Sequence, residues 1–529
     1  MQFIEGTPRN QAVLFTQSLE ELIEADNEVR LIDLFAESIH LPDFHFTIKT
    51  TKEGRPAYHP QDLLKLFIYG YLNRIRSSRQ LEKECKRNIE LMWLMKQLVP
   101  DHNTIANFRR DNEKAIRKVF RHTVSIAKQF ELIGGKLLAG DSTKLRAQNS
   151  KKNNFNEHKI ERHLGYIEAK LGEYNAALAQ ADQEHKPGVE QEVQKYTARK
   201  KDYEDKQQYL EQSGEAQLST SDPDSRQLMT RNNICEIAYN VQTTVDAKHY
   251  LLIDYKVTNS NDSRAMSGML RRTKTILGTT AFTALYDKGY HTGIEIRKAL
   301  DMGIEIMVAV PGTGSNAPDE RYNMSRFIYE EDKDAYICPE QQVLTTNGNW
   351  YQKTKENNHY LVKHYTTNAC AGCPVRALCT KNSKGRMIER SEYAGYVETN
   401  RLNIEAKPEV YKKRQSIVEH PYGTIKRQWG FYYVITKRGI KRASADAGLM
   451  FVAYNLKRLI SIMGSEGLTK YLQVLALLII AKTGLPQLKI INTAPLFVQV
   501  KKMFSPVNTL LRRLKATSVT LNCQPYLSS

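Results

Sequence analysis

The chain has 529 residues, with 77 Lys and Arg against 58 Asp and Glu, a formal net charge of +19 and a pI near 9.3. That length implies several domains rather than one core, and the charge points to a polyanionic partner, nucleic acid ahead of an acidic membrane surface. A membrane protein is not expected: the longest apolar run, Leu475 to Ala481, is far short of the roughly 18 residues of a spanning helix, and Met1 to Asn10 lacks the layout of an export signal.

Residues 1 to about 50 carry no clear pattern. From Pro60 the apolar positions Leu63, Leu64, Phe67, Ile68, Tyr71 and Leu72 recur at helical spacing. Ser77 or Ser78 is placed to cap a second helix, and Ile89 to Leu98 forms a third apolar segment. PDHNTIANFRRDN then reads as a turn, an Asn103 cap and a helix bearing Arg109 and Arg110, followed by Ile116, Val119, Phe120 and Val124 at helical spacing. An all-helical domain over 1–133 is expected, and its basic helix ends suit it to DNA binding.

After Gly134-Gly135 the pattern turns to strand, and KLLAGDSTKLRA sets Asp141 within or at the end of an apolar run. Residues 153–228 are an insertion. Ile160, Leu164, Ile167 and Leu171 alternate steps of four and three, and Val189, Val193, Tyr196, Tyr203 and Leu210 continue the rule beyond Pro187-Gly188. That spacing predicts an antiparallel helical hairpin with a coiled-coil seam. YNVQTTVDAKHYLLIDYKV alternates with a break at Asp246 to His249, as a β-hairpin does. A helix-like stretch follows, and FTALYDKGYHTG repeats the earlier layout, an apolar strand with an acid, Asp287, at its end. The helix IEIRKALDMG and the strand IEIMVAVPG complete an α/β layer, an antiparallel meander followed by parallel βα units.

Residues 313–395 interrupt this layer with Cys338, Cys370, Cys373 and Cys379, four of the seven cysteines. In a reducing cytoplasm clustered thiols are more often metal ligands than disulfides. Four thiolates would close a structural Zn2+ site with no open position for chemistry; reduced, buried thiols are the plainer alternative. Beyond it, residues 407 to 442 hold ten Lys and Arg against two acids, one of them Glu419. A lone carboxylate in such a field is either a surface ion pair or a metal ligand beside a polyanion. LMFVAYNLKRLISI, Leu449 to Ile462, predicts an amphipathic helix, and 464–529 reads as a C-terminal tail. The α/β core is expected to comprise 134–152, 229–312 and 396–463.

Position singles out three acids. Two strand-end aspartates in one sheet, Asp141 and Asp287, together with a helix-borne Glu419 can converge on two divalent cations about 4 Å apart, which suits attack on a phosphodiester. HPQDLLKLFIYGYL, RSSRQLEKEC, PDHNTIANFRR, GDSTKLRAQNS, TSDPDSRQLM, YNVQTTVD, ALYDKGY and VEHPYGTIKRQWG occur in that order. From Tyr58 to Ile462 the chain thereby resembles the DDE-type transposases of bacterial insertion sequences, which have an RNase H-like mixed sheet flanked by helices. The resemblance implies that Asp141, Asp287 and Glu419 are a catalytic triad binding two Mg2+ ions, with Mn2+ able to substitute, and that the helical domain binds terminal repeats. Lys426, Arg427, Tyr411 and Arg414 are expected to position phosphates, with Arg109 and Arg110 as further DNA contacts. Four residues separate Arg414 from Glu419 where the family signature has three, which turns Arg414 by roughly 100° on an ideal helix.

The expected activity is metal-dependent cleavage at element ends and transfer of the 3′-hydroxyl ends into target DNA. Double-stranded DNA is then the partner, a homodimer the working assembly, and a cytoplasmic, nucleoid-associated location follows. The rival reading is a non-catalytic DNA-binding protein derived from a transposase. A nuclease that cuts without joining is a third.

Overall fold

The computed structural model describes residues 18–47, 56–180, 186–230, 234–312, 317–355, 358–436 and 438–483. The tail beyond 483, the first 17 residues, and Lys437 of the basic segment lie outside the described residues. The chain divides into two compact units, one of 1–108, 117–133 and 455–529, the other of 109–116 and 134–454.

The first unit is helical. Helices Pro60–Leu72, Ser78–Cys85 and Ile89–Leu94 form in the segments that read as helical, and a further helix, Glu28–Glu37, forms in the stretch that carries no clear pattern. Phe67 and Phe108 stack with ring centres 5.9 Å apart, and Leu64, Leu66 and Tyr71 are fully buried beside them in sequence. Ser77 takes the N-cap position of its helix without a side-chain capping bond. At the next helix the expected cap is corrected by two positions: Asp101, not Asn103, accepts from the backbone N–H groups of Asn103 (2.9 Å) and Thr104 (3.1 Å). A carboxylate there meets the unpaired donors and the positive end of the helix at once, which a neutral Asn inside the first turn does not.

The second unit is a mixed α/β body built on a six-stranded sheet. Its strands are β1 (Leu137–Arg146), β2 (Arg226–Met229), β3 (Cys235–Asp246), β4 (Leu252–Thr258), β5 (Thr283–Tyr286) and β6 (Glu305–Val308). The order is β2-β3-β1-β5-β6, with β4 also paired to β3. β3 runs antiparallel to β1, β2 and β4, whereas β5 is parallel to β1 and β6 parallel to β5. β3 is buried from Ile237 to Asp246 because both its flanks and both its faces are covered.

Two local features fix the sheet near its centre. At Gly140 any Cβ would lie 2.0 Å from Cε1 of Tyr286, so only glycine lets the Tyr286 ring cross β1 there. The SDPDS turn ties a distant helix start: Asp222 Oδ1 accepts from Gly439 N and Asp224 Oδ2 from Ile440 N, both at 2.8 Å. Negative charge at that N-terminus opposes the partial positive charge of the helix. The helix runs Ile440–Thr483 and is broken at Gly464, whose φ of 74° and ψ of 159° lie outside the helical region.

The segment 153–228 contains helices Glu157–Gln180 and Lys186–Ser213, which bury Ile160, Ile167, Tyr203 and Leu210 with Phe155. The cysteine-containing segment carries two small three-stranded sheets around Phe327, Tyr336, Leu344, Tyr365 and Ile388. It leads into helices Ala394–Ala406 and Pro408–Tyr422. Asn400 on the first of these clamps β6 by accepting from Val308 N (2.8 Å) and donating to Val308 O (2.9 Å).

Candidate functional site

Asp141 lies in the middle of β1, opposite Thr243 of β3, and Asp287 immediately follows the parallel neighbour β5. Ser142 N donates to Asp141 Oδ1 at 2.7 Å, and Arg414 Nη1 stands 3.4 Å from Oδ2. Burial pushes the Asp141 carboxyl up to about 6; the Ser142 N–H and Arg414 oppose this, and the charges of Asp287 and Asp262 add to it. Asp287 Oδ1 accepts from Gly289 N at 2.9 Å and so opens the short turn Lys288–Tyr290.

The helix Pro408–Tyr422 packs over this part of β1 and β5, and three of its side chains explain how. Tyr411 donates its hydroxyl to Tyr286 O at 3.1 Å, Arg414 reaches Asp141, and the Tyr422 hydroxyl lies 3.2 Å from Asp141 O and 2.6 Å from Thr243 Oγ1. Steps of three and eight put these residues on one face. The helix continues through Pro421 and widens into a π turn over Gly423–Gln428, a form that often marks functional sites. Within that turn Lys426 Nζ donates to Thr143 Oγ1 (2.8 Å) and Lys144 O (3.0 Å).

The expected site residues therefore separate. Asp141 and Asp287 come within electrostatic reach of each other. Glu419 is on a neighbouring face of the same helix, exposed, and its Oε1 accepts from Gln415 Nε2 at 3.0 Å. Among the described residues no group of three or more His, Cys, Asp or Glu side chains is arranged to hold a metal ion. Tyr411, Arg414 and Lys426, read from sequence as phosphate contacts, are engaged with β1 and β5 instead, because their spacing turns them inward. Arg427 is exposed. Arg109 is buried, its Nη1 3.7 Å from the fully buried Asp446, which removes it from any surface; Arg110 forks onto Asp111 at 2.6 and 2.7 Å. Trp429 and Phe431 are buried against each other, whereas Tyr432 and Tyr433 are exposed.

Sequence reasoning missed Asp262. It receives Asn240 Nδ2 (2.7 Å), Gln242 Nε2 (2.6 Å) and Lys144 Nζ (3.0 Å). Burial works against its ionisation, yet Lys144 and these hydrogen bonds hold its carboxyl below the usual range. The only signal in the sequence was an acid at a strand-to-helix junction, NDSR.

Asp141 within β1 and Asp287 just after the parallel β5 thus lie on neighbouring strands of one mixed sheet, beneath a helix that bears a third acid, Glu419. The chain matches the Transposase domain (DUF772) over residues 17–111 and the Transposase DDE domain over 337–460. It belongs to the DDE-type transposases of insertion sequences, a class of polynucleotidyl transferase that works with divalent metal ions. The second match includes the four clustered cysteines and Glu419 and leaves out Asp141 and Asp287. No curated protein matches the chain. Among solved structures the chain is similar to a piggyBac transposase in a synaptic complex with hairpin DNA, at 8% identity and a TM-score of 0.25, covering 88% of this chain and 80% of that one. Among the described residues no helix is long and apolar enough to cross a membrane.

Proposed function

We propose that this transposase cuts DNA at the ends of its element and joins the freed 3′-hydroxyl ends to target DNA, with Asp141, Asp287 and Glu419 as its metal-binding acids. The observation that carries this reading is the Asp141–Asp287 pair: two carboxylates on adjacent parallel strands, Asp141 within β1 and Asp287 just after β5, the first of them pushed up to about 6 by burial and by its acidic neighbours. Such crowding of negative charge is relieved by a divalent cation, so the donor set fits Mg2+, with Mn2+ as a substitute. Two such ions, when bound, activate a water or 3′-hydroxyl and stabilise the leaving oxygen.

The chain's own residues hold this arrangement. Arg414 sets the Asp141 carboxylate, Tyr411 and Tyr422 dock the helix, and Lys426 fixes the π turn on β1. Glu419 is then one helix face from the pair, and completing the set takes a rotation of its side chain away from Gln415. The meander-then-parallel sheet supports an RNase H-like core. Arg427 and the exposed Tyr432 would meet phosphates and unpaired bases. The helical unit would bind the terminal inverted repeats, and a homodimer would bring two ends together.

The test is incubation of the purified chain with end-containing DNA and Mg2+. Cleavage and joining should vanish in Asp141→Ala, Asp287→Ala and Glu419→Ala while DNA binding persists. Wild-type binding without any strand cleavage would overturn the reading in favour of a non-catalytic DNA-binding protein.

A further inference from the structure

The cysteine segment takes no part in the chemistry proposed above, yet its local construction is specific. Cys338, Cys370, Cys373 and Cys379, far apart in two groups along the chain, line one cavity of about 30 Å³ together with Arg376 and Arg386. All four are free thiols and half-buried. The cavity has room for an ion or a single water.

Each thiol is held by its own device. Cys338 sits in a tight turn, Gln341 N to Cys338 O and Cys338 N to Gln342 O both at 2.9 Å, and its Sγ accepts from Gln342 N at 3.3 Å. Cys370 is pressed against Gly385, where a Cβ would lie 2.6 Å from Cys370 Cβ and 3.2 Å from its Sγ. Gly385 has a φ of 91°, so both its conformation and its contact exclude a side chain. Cys373 and Cys379 are linked through one short turn, in which Cys373 O accepts from Arg376 N and Val375 O from Cys379 N, both at 3.2 Å. Cys338 and Cys379 also pack on the Phe327, Tyr336 and Leu344 cluster, which anchors that side of the cavity.

The charges around the cavity match one occupant. Four thiolates around one Zn2+ leave a net charge of −2, which is costly half-buried unless cations stand beside it. Arg386 and Arg376 are such cations, while the lining acid Glu340 is occupied by the Tyr322 hydroxyl at 2.8 Å.

We propose that Cys338, Cys370, Cys373 and Cys379 bind one structural Zn2+, with Arg386 offsetting the charge of the tetrathiolate. The thiols are not yet at ligand spacing, since no three such side chains among the described residues are arranged around a metal position. Neutral thiols gain little from mutual contact, whereas each Zn–S bond of about 2.3 Å draws a thiolate inward, and rotation of the cysteine side chains supplies the movement. Binding releases the thiol protons to solvent, and no redox step is involved. The site is closed, so the metal serves the fold of this segment and leaves the aspartates untouched.

Metal analysis of the full chain, purified without chelator, should find about one zinc per chain. The zinc should leave on thiol modification, and Co2+ exchanged in its place should show the intense visible absorption of a tetrahedral thiolate site. Cys370→Ser and Cys373→Ser should lose the metal, whereas Cys235→Ser, outside the cluster, should keep it. Cobalt absorption reads the wild-type chain directly, so the test survives a variant that fails to fold. Absence of zinc and of cobalt absorption in the folded wild-type chain would overturn the proposal, as would zinc retained in full by Cys370→Ser and Cys373→Ser. Both readouts are independent of DNA cleavage, so this proposal and the transposition mechanism fail separately.

Discussion

Asp141→Asn is expected to stabilise the metal-free protein while abolishing strand cleavage. In the folded chain burial pushes this carboxyl up to about 6, against an ordinary value of 3.8. The folded state thus binds the proton more tightly than the unfolded one, and stability is lost as pH rises from about 3.8 through about 6. Above that window the full penalty stands, and a separation of about two pK units corresponds to roughly 3 kcal/mol. The side chain is 22% exposed, so solvent screening trims the figure to about 2 kcal/mol. Asparagine carries no charge and escapes the penalty. The assay is urea or thermal unfolding in EDTA, where the variant should be more stable by about 2 kcal/mol near pH 7.5, the gain falling by about half near pH 5. Mg2+ should then add stability to the wild type and not to Asp141→Asn. A variant that is less stable near pH 7.5, or a gain that does not change with pH, would refute the view of Asp141 as a carboxylate crowded by acidic neighbours.

Other substitutions probe the scaffold around the site. Gly140→Ala drives a methyl to 2.0 Å from the buried Tyr286 ring and should cost about 3 kcal/mol in urea unfolding; the double change with Tyr286→Leu should recover most of it. Asp254, 1% exposed, accepts two hydrogen bonds from Arg272 at 2.6 and 2.8 Å, so Asp254→Asn should lower stability by about 3–5 kcal/mol by leaving the guanidinium half-paired. His420 stacks on Tyr250 at 4.7 Å and shares a 2.8 Å hydrogen bond with the Tyr454 hydroxyl. His420→Ala should raise the Mg2+ concentration needed for cleavage several-fold without weakening DNA binding, and His420→Asn should recover part of the loss; equal loss of DNA binding would point to general unfolding instead.

The elements that could be read from sequence are those whose cause is local. Leu137 to Ala139 before Asp141, and Ala284 to Tyr286 before Asp287, are apolar runs that read as buried strands, the first continuing past its acid to Arg146 and the second stopping just before Asp287. The steps of four and three from Ile160 to Leu171 state a helical seam in the same direct way. What escaped reading depends on partners far along the chain. Arg109 looks like a surface cation until Asp446 buries it, and Asp262 looks like a turn residue until Asn240, Gln242 and Lys144 converge on it. The π turn at Gly423–Gln428 has no signal in composition at all.

The basic residues around Glu419 show how one pattern can carry a different physical meaning from the one first read into it. Tyr411, Arg414 and Lys426 repeat a spacing that suggested contacts to phosphate. In the fold, Tyr411 donates to the carbonyl before Asp287, Arg414 meets the carboxylate of Asp141, and Lys426 donates to the two residues that follow Ser142. The spacing is thus a docking pattern, which holds the helix of Glu419 against the two strands that carry Asp141 and lead to Asp287. A helix so fastened at three points can change its distance from the aspartates only by moving β1 and β5 as well. On the proposed mechanism, completion of the acid set would fall to the Glu419 side chain, which is exposed and, among the described residues, bonded only to Gln415.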